Sequence, residues 1–552
     1  MTVLRRIENG QRKALLLSFL RLVRADVVVA GLPMDFDAAW GLVLDAEAID
    51  PAVVDEIIMF PAVGLRLRRA VERVVDGFVD SPANRAEIGV LHVIAAAAAI
   101  RTGVDFSTEV PVVRGVVTLP TVGTFTVSVG DSTAFVRLTR TGSRLELGLD
   151  GDVLAVRGDG TFHEIREHRA EAAGAVLDVV FDDWDPHRVF VDSPSTPDPL
   201  TDVEFKEWSG QLDRAWSVIL DWNPGYATEL SNGLLSLVPL RREGLVAASS
   251  SAAFGAIALS EKSSADELAE ALVHELQHSK LNAVFEAVTL HDAGDQRFFA
   301  PWRDSPRPLD GVLHGVYAFT SVVEFWCARR GQVSEGLAAR AEFAFVLRAL
   351  QVRSAIEEIR ATAPLNEWGT LFLETLSRRL AVCEAELAPE DRSGPVAKIV
   401  HDRRALWRVE HLRADPADIA ALVDAWTTTG GAPADLAVRT TVDHDLNCAF
   451  SDRVPLLEAQ ALRQVPNTEG VDEADLAYAR GDLDEAAVSY RRRVVADADD
   501  EQAWVGLALT LGSDLLFREP EVVLALHREV SARTGTRPDP VRLVEWLAAG
   551  RS

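Results

Sequence analysis

Apolar and polar positions follow two rhythms along this chain, and each rhythm predicts a different kind of element. Up to about residue 102 apolar residues recur at intervals of three and four, as in "DAAWGLVLDAEAIDPAVVDEIIMF" (37–60), the period of helices with a buried face. From residue 103 the period shortens. "GVVTLPTVGTFTVSVG", "STAFVRLTR" and "RLELGLDGDVLAVRGDGTF" alternate apolar with polar residues between glycine turns, which predicts strands. The alternation ends at "DSPSTPDPLTD" (192–202), where proline and serine cluster. Helical spacing returns in "DVEFKEWSGQLDRAWSVILDW", yields to a short strand at "FGAIALS" (254–260), and runs on to about 415. The expectation is a mostly helical α+β fold in four regions: helical 1–102, strand-rich 103–198, a region 199–415 that carries the candidate chemistry, and helical 416–552.

Inside the last region, "DLAYARGDLDEAAVSYRRRVVADADDEQAWVGLALTLG" (475–512) resembles a tetratricopeptide repeat. The Gly481 turn, the small pair Ala486 and Ala487, Tyr490 and Trp504 stand where that helix–turn–helix unit packs its two helices. Only one repeat matches well. Since fewer than three rarely stand alone, the resemblance implies a unit docked on neighbouring helices.

Composition narrows the partners. At 552 residues the chain exceeds one ordinary core, and 48% apolar with 25% charged residues is usual for a globular protein. A formal net charge of -28 argues against nucleic acid, whose phosphates need a basic surface. The three cysteines, Cys327, Cys383 and Cys448, form no CxxC, which excludes a cysteine-held cluster and fits a reducing compartment. Arg21 and Arg24 interrupt the apolar run near the N-terminus, so an amphipathic helix is expected there rather than a signal peptide. The most apolar stretch, "VLHVIAAAAAI" (90–100), has about half the length a membrane crossing needs. A cytoplasmic protein with no membrane partner is the expectation.

The candidate chemistry lies in "DELAEALVHELQHSKLNAV" (266–284), which contains His274-Glu275-Leu276-Gln277-His278, an HExxH. Ser264 followed by Glu267 predicts a capping box and hence a helix start. Positions i and i+4 share a helix face, so His274 and His278 can reach one divalent ion, with Glu275 beside any water on it. "HEIREH" (163–168) offers only i and i+5, about 140° apart on a helix, and sits among strand-like residues. A catalytic metal needs a third ligand, and His291, His314 and Glu324 are the candidates. His291 lies in a polar turn. His314 opens a helix whose Leu313, Val316, Phe319, Val323 and Trp326 predict a buried stripe, and Glu324 is the type of third ligand found in one large group of zinc peptidases. Before His314, "FFAPWRDSPRP" stiffens Arg303 and Arg307 with prolines, a setting that suits a guanidinium fork for a carboxylate. Pairing with Asp304 or Asp310 is the alternative use of those arginines.

Together, "HELQHSKL" and "RFFAPWRDSPRPLDGVLHGVYAF" at this separation resemble the HExxH-motif peptide-modification family, over about 264–326. Its members are described as Fe(II)- and 2-oxoglutarate-dependent β-hydroxylases of ribosomally made precursor peptides, in the company of other peptide-maturation enzymes. The resemblance implies His274, His278 and His314 as iron ligands and Arg303 or Arg307 on the distal carboxylate of 2-oxoglutarate. It leaves Glu275 as a residue that coordinates, orients water or tunes the histidines. By ligand type alone three histidines favour zinc, and the resemblance favours iron. Two other readings follow from the same residues: a zinc metallopeptidase with Glu275 as general base, and a non-catalytic protein whose helical repeats capture a peptide.

Overall fold

The computed structural model describes residues 1–32, 34–130, 135–190, 193–241, 247–428, 438–443 and 451–549. Helix predominates over strand, and the chain divides into two compact units, Met1–Val288 and Thr289–Ser552.

In the first unit, helices fill the sequence up to Thr102 and strands run from Phe106 to Phe181, as the two periods predict. The N-terminal helix Thr2–Ala25 buries Glu8, Arg12, Leu16, Phe19, Leu20 and Val23, one face at spacings of three and four. Arg12 is only 3% exposed, and all three of its guanidinium nitrogens are engaged: it meets the Glu8 carboxylate at 2.7 Å and donates to the carbonyls of Ile58, Phe60 and Phe254. Burial lowers its pKa while Glu8 opposes the shift. The helix Val90–Thr102 is buried on nearly every side. Among the described residues no single helix is long and apolar enough to cross a membrane; Pro82–Ile88 and Val90–Thr102 pass that test only as a pair bent by 45°.

The strands form three sheets. Phe106–Pro111, Phe135–Thr141, Arg144–Leu149 and Asp152–Val156 make an antiparallel sheet in that order. Val116–Leu119, Gly123–Thr126 and Phe162–Glu164 make a second. The third positions the site. Its order is Ala247–Ala248, Ala256–Ser260, Ser236–Leu240, Ala175–Phe181, Arg166–Ala172, and the three middle strands are parallel. Ser236–Leu240 is buried along its whole length, as a strand with parallel neighbours on both sides should be. Ala256–Ser260 leads straight into the HExxH helix, Ala265–Phe285. Ser264 caps that helix by accepting the Glu267 N–H at 3.2 Å. The Glu267 carboxylate takes the Ser263 hydroxyl, a contact that the reciprocal capping-box pattern does not anticipate.

The second unit is helical apart from two small ribbons, Arg297–Phe298 with Arg307–Pro308 and Leu412–Ala414 with Thr440–Val442. Its helix Leu309–Arg329 runs alongside Glu367–Glu384 in parallel: Tyr317 meets Phe372 at 5.6 Å between ring centres, and Glu324 takes both Arg379 donors at 2.8 and 2.6 Å. One turn further on, Cys383 is hydrogen-bonded to Cys327, and burial pushes its thiol up to about 12. Cys448 lies outside the described residues. Towards the C-terminus, Gly481 ends Glu473–Arg480 at φ +88, a conformation glycine adopts without strain. Tyr490 and Trp504 are fully buried there. Five helices converge on Arg453, which is 0% exposed and holds Asp402 and Asp475, while Tyr490 donates its hydroxyl to Asp475 and Gln502 accepts from the guanidinium.

Candidate metal centre

On the HExxH helix, His274, Glu275 and His278 place one ligand atom each within 4.8 Å of one another. The two Nε2 atoms stand 3.0 Å apart, with ring planes at 88°. Two nitrogens each about 2.1 Å from a common ion and this far apart subtend about 90° at it, so the pair fits a divalent metal without rearrangement. Both rings are half-buried and Glu275 is only 4% exposed.

The flank of the helix beside the histidines is fixed by the helix Pro224–Gly233. Tyr226 donates its hydroxyl to the Val273 carbonyl at 2.7 Å and accepts from Gln277 Nε2 at 2.6 Å. Lys280 pairs with Glu229 at 2.6 Å. Gln277, an interior position of the motif, is thus a holding residue 2% exposed, and the turn that carries both histidines is tied along its flank. On the near side Ser249 donates to Glu275 Oε2 at 2.6 Å. Lys262 also sees the Glu275 charge, although burial lowers the lysine overall.

The remaining sequence-predicted residues belong to the second unit. His314 stands in the second turn of Leu309–Arg329, and burial lowers it to about 4, which leaves the neutral imidazole that ligates metals. That helix is buried almost all round, and Phe319, expected in its buried stripe, is only half-buried, where it meets Trp302 and the Arg348 guanidinium. His291 is committed elsewhere: Nε2 meets Asp310 at 2.8 Å and Nδ1 accepts the Ala293 N–H. Glu324 is committed to Arg379. The two histidines of "HEIREH" sit on strands and part company, His163 stacking on Trp184 and His168 bonding Asp213.

The arginine loop packs on the second turn of the His314 helix at Gly315. A Cβ on Gly315 would fall 2.1 Å from the Trp302 ring, so only glycine lets that indole lie against the backbone. At Gly311, one turn before His314, a Cβ would stand 3.9 Å from Arg307, an ordinary contact that does not require glycine. The acids nearest in sequence are taken, Asp310 by His291 and Asp304 by Arg403 at 3.5 Å. Among the described residues, Arg297, Arg303 and Arg307 have no acidic partner within 4 Å. Instead Arg307 is lowered by burial and then by repulsion from Arg303 and Arg297. Arg303 is exposed and Arg307 half-buried. The ribbon that pairs Phe298 with Arg307 brings in Arg297, which sequence reasoning missed because its contribution depends on that pairing.

No family model matches this sequence, and no curated protein is significantly similar to it.

Proposed function

We propose that this chain is an Fe(II)- and 2-oxoglutarate-dependent hydroxylase of a ribosomally synthesised precursor peptide, acting in the cytoplasm. The observation that carries the reading is the unpaired arginine cluster. Three like charges with no acid among them are costly together, and an anion relieves that cost. A 2-oxo diacid offers the carboxylate such a fork binds; a peptide hydrolysed at a zinc centre does not require one.

His274 and His278 would hold the metal through Nε2, and His314 is the proposed third ligand. The resemblance to the HExxH-motif family favours His314 over His291, which meets Asp310, and Glu324, which meets Arg379. Iron with 2-oxoglutarate supplies the chemistry, activation of dioxygen for insertion of one oxygen atom at a substrate β-carbon. Arg307, the more buried of the two arginines in the proline-rich loop, would hold the distal carboxylate, with Arg303 and Arg297 adding field. Glu275, beside the histidines, would coordinate the ion, orient water on it or tune the two imidazoles. The C-terminal helical pairs around Gly481, Tyr490 and Trp504, read as tetratricopeptide-like, would present a surface for the peptide.

The test is to supply purified chain with Fe(II), 2-oxoglutarate and oxygen and to follow succinate formation and the mass of candidate precursor peptides. Succinate release with the gain of one oxygen by a peptide supports the reading. Peptide cleavage by zinc-loaded chain, with no succinate formed under iron, contradicts it.

A further inference from the structure

Two of the three cysteines meet on the pair of parallel helices Leu309–Arg329 and Glu367–Glu384, and the metal centre uses neither. The helices face each other in a ladder of matched rungs. Tyr317 meets Phe372 at 5.6 Å between ring centres, and Glu324 holds Arg379 at 2.6 Å. Three residues after Glu324 comes Cys327, hydrogen-bonded to Cys383. Three residues later again, Arg330 donates to the Cys327 carbonyl at 2.6 Å and stands 3.9 Å from Glu386. Every rung keeps the same offset between the two helices to within one residue. An arginine–glutamate pair therefore brackets the thiols on each side and keeps the sulfurs neighbours. Their exposure is unequal: Cys327 is half-buried and Cys383 only 5% exposed.

We propose that Cys327 and Cys383 form a modification site, joined as a reversible disulfide when hydrogen peroxide removes two electrons from the pair. The Cys327 sulfur, the one open to solvent, attacks the O–O bond and becomes a sulfenic acid, and one water leaves. The Cys383 sulfur then attacks that sulfur. The S–S bond forms as the S–O bond breaks, and the Cys383 proton leaves with the hydroxyl as a second water. In sum, two thiols lose two hydrogen atoms and the peroxide is reduced to two waters. Burial pushes the Cys383 thiol up and keeps its proton on, which suits it to the second step and not the first. The bond ties the helix that carries His314 to its neighbour, at the end away from the histidine. The inference is independent of the metal and of the reaction proposed above.

The test is to expose the reduced full chain, in the presence of a chelator, to a small excess of hydrogen peroxide. Intact-mass spectrometry should show the loss of two hydrogen atoms. Peptide mapping should find the segments with Cys327 and Cys383 joined, and dithiothreitol should separate them. Cys327→Ser should abolish the link, and Cys383→Ser should leave a sulfenic acid at Cys327 that dimedone captures. Cys448→Ser should leave the link unchanged. The oxidised chain should also unfold at higher urea than the reduced one, because the bond closes a long loop in the unfolded state. Wild-type chain whose two thiols both remain open to alkylation after denaturation overturns the proposal. So does a link made through Cys448 or between two chains, or oxidation that stops at Cys327 as sulfenic or sulfinic acid. A joined chain that unfolds at lower urea than the reduced one overturns the matched geometry of the two helices.

Discussion

The indole of Trp302 rests against Gly315, and a single methyl group tests whether that contact sets the loop that carries the arginines. In Gly315→Ala the added carbon would meet the ring at 2.1 Å, so the indole must retreat by roughly 1.3 Å to reach ordinary contact at 3.4 Å. Overpacking of this kind costs about 1–3 kcal/mol. Disturbing the Trp302–Phe319 pair, 5.0 Å between centres, adds about 0.5–1.5 kcal/mol. Against this, alanine favours a helix interior over glycine by about 1 kcal/mol. The expected net loss is about 0.5–3.5 kcal/mol. Urea unfolding followed by circular dichroism of wild type, Gly315→Ala, Trp302→Ala and the double variant isolates the contact. With the indole gone, the Gly315→Ala change should become neutral or stabilising by up to about 1 kcal/mol. An equal cost in both backgrounds would refute the packing argument. The same four proteins should also rank in 2-oxoglutarate affinity, since the displaced loop holds Arg303.

Further expectations concern charge. Arg307→Gln should weaken 2-oxoglutarate binding by about 10- to 150-fold, the worth of about 1.5–3 kcal/mol in charged hydrogen bonds, and Arg303→Gln by less; equal effects by calorimetric titration would remove Arg307 from the inner position. Arg453→Met leaves Asp402 and Asp475 buried without their cation and should destabilise the second unit by about 3–5 kcal/mol. Asp402→Asn with Asp475→Asn in that background should recover much of the loss in a denaturant titration. His92 is lowered to about 4 by burial, so below pH 6.5 the unfolded chain takes up a proton that the folded one refuses. Its contribution to stability is therefore present above pH 6.5 and lost as pH falls towards 4, by about 1.4 kcal/mol per pH unit. His92→Gln should flatten that limb of the unfolding free energy measured against pH. Asp182 works in the opposite sense, raised to about 8 by burial and by Asp185, so its contribution is full at low pH and lost as pH rises through 8. Asp182→Asn should remove that decline.

Much of the architecture was legible because local rules govern it. Helical spacing up to Thr102, alternation from Phe106 to Phe181 and the Ser264 cap each depend on residues a few positions apart. The HExxH cluster was legible for the same reason, i and i+4 on one helix. What escaped is long-range or set by burial. Nothing local marks Ser249 as the donor to a residue 26 positions on, or Tyr226 as the holder of Gln277. A proline-rich loop announces a rigid arginine, but that the acids beside it go to His291 and Arg403 is decided by packing. Phe319 was placed in the buried stripe by its spacing, and the loop residue Trp302 covers it only in part. No pattern in the sequence distinguishes Arg453, fully buried, from the solvated arginines around it.

The central claim is that His274, His278 and His314 hold one iron that accepts a 2-oxo diacid. Anaerobic titration of Fe(II)-loaded chain with 2-oxoglutarate, watched for the visible charge-transfer absorption of the chelate, tests it most directly. The absorption should saturate at one equivalent in the wild type and be absent in His274→Ala, His278→Ala and His314→Ala alike. A wild-type chain that binds iron but develops no absorption, or a His314→Ala chain that keeps it in full, would contradict the account.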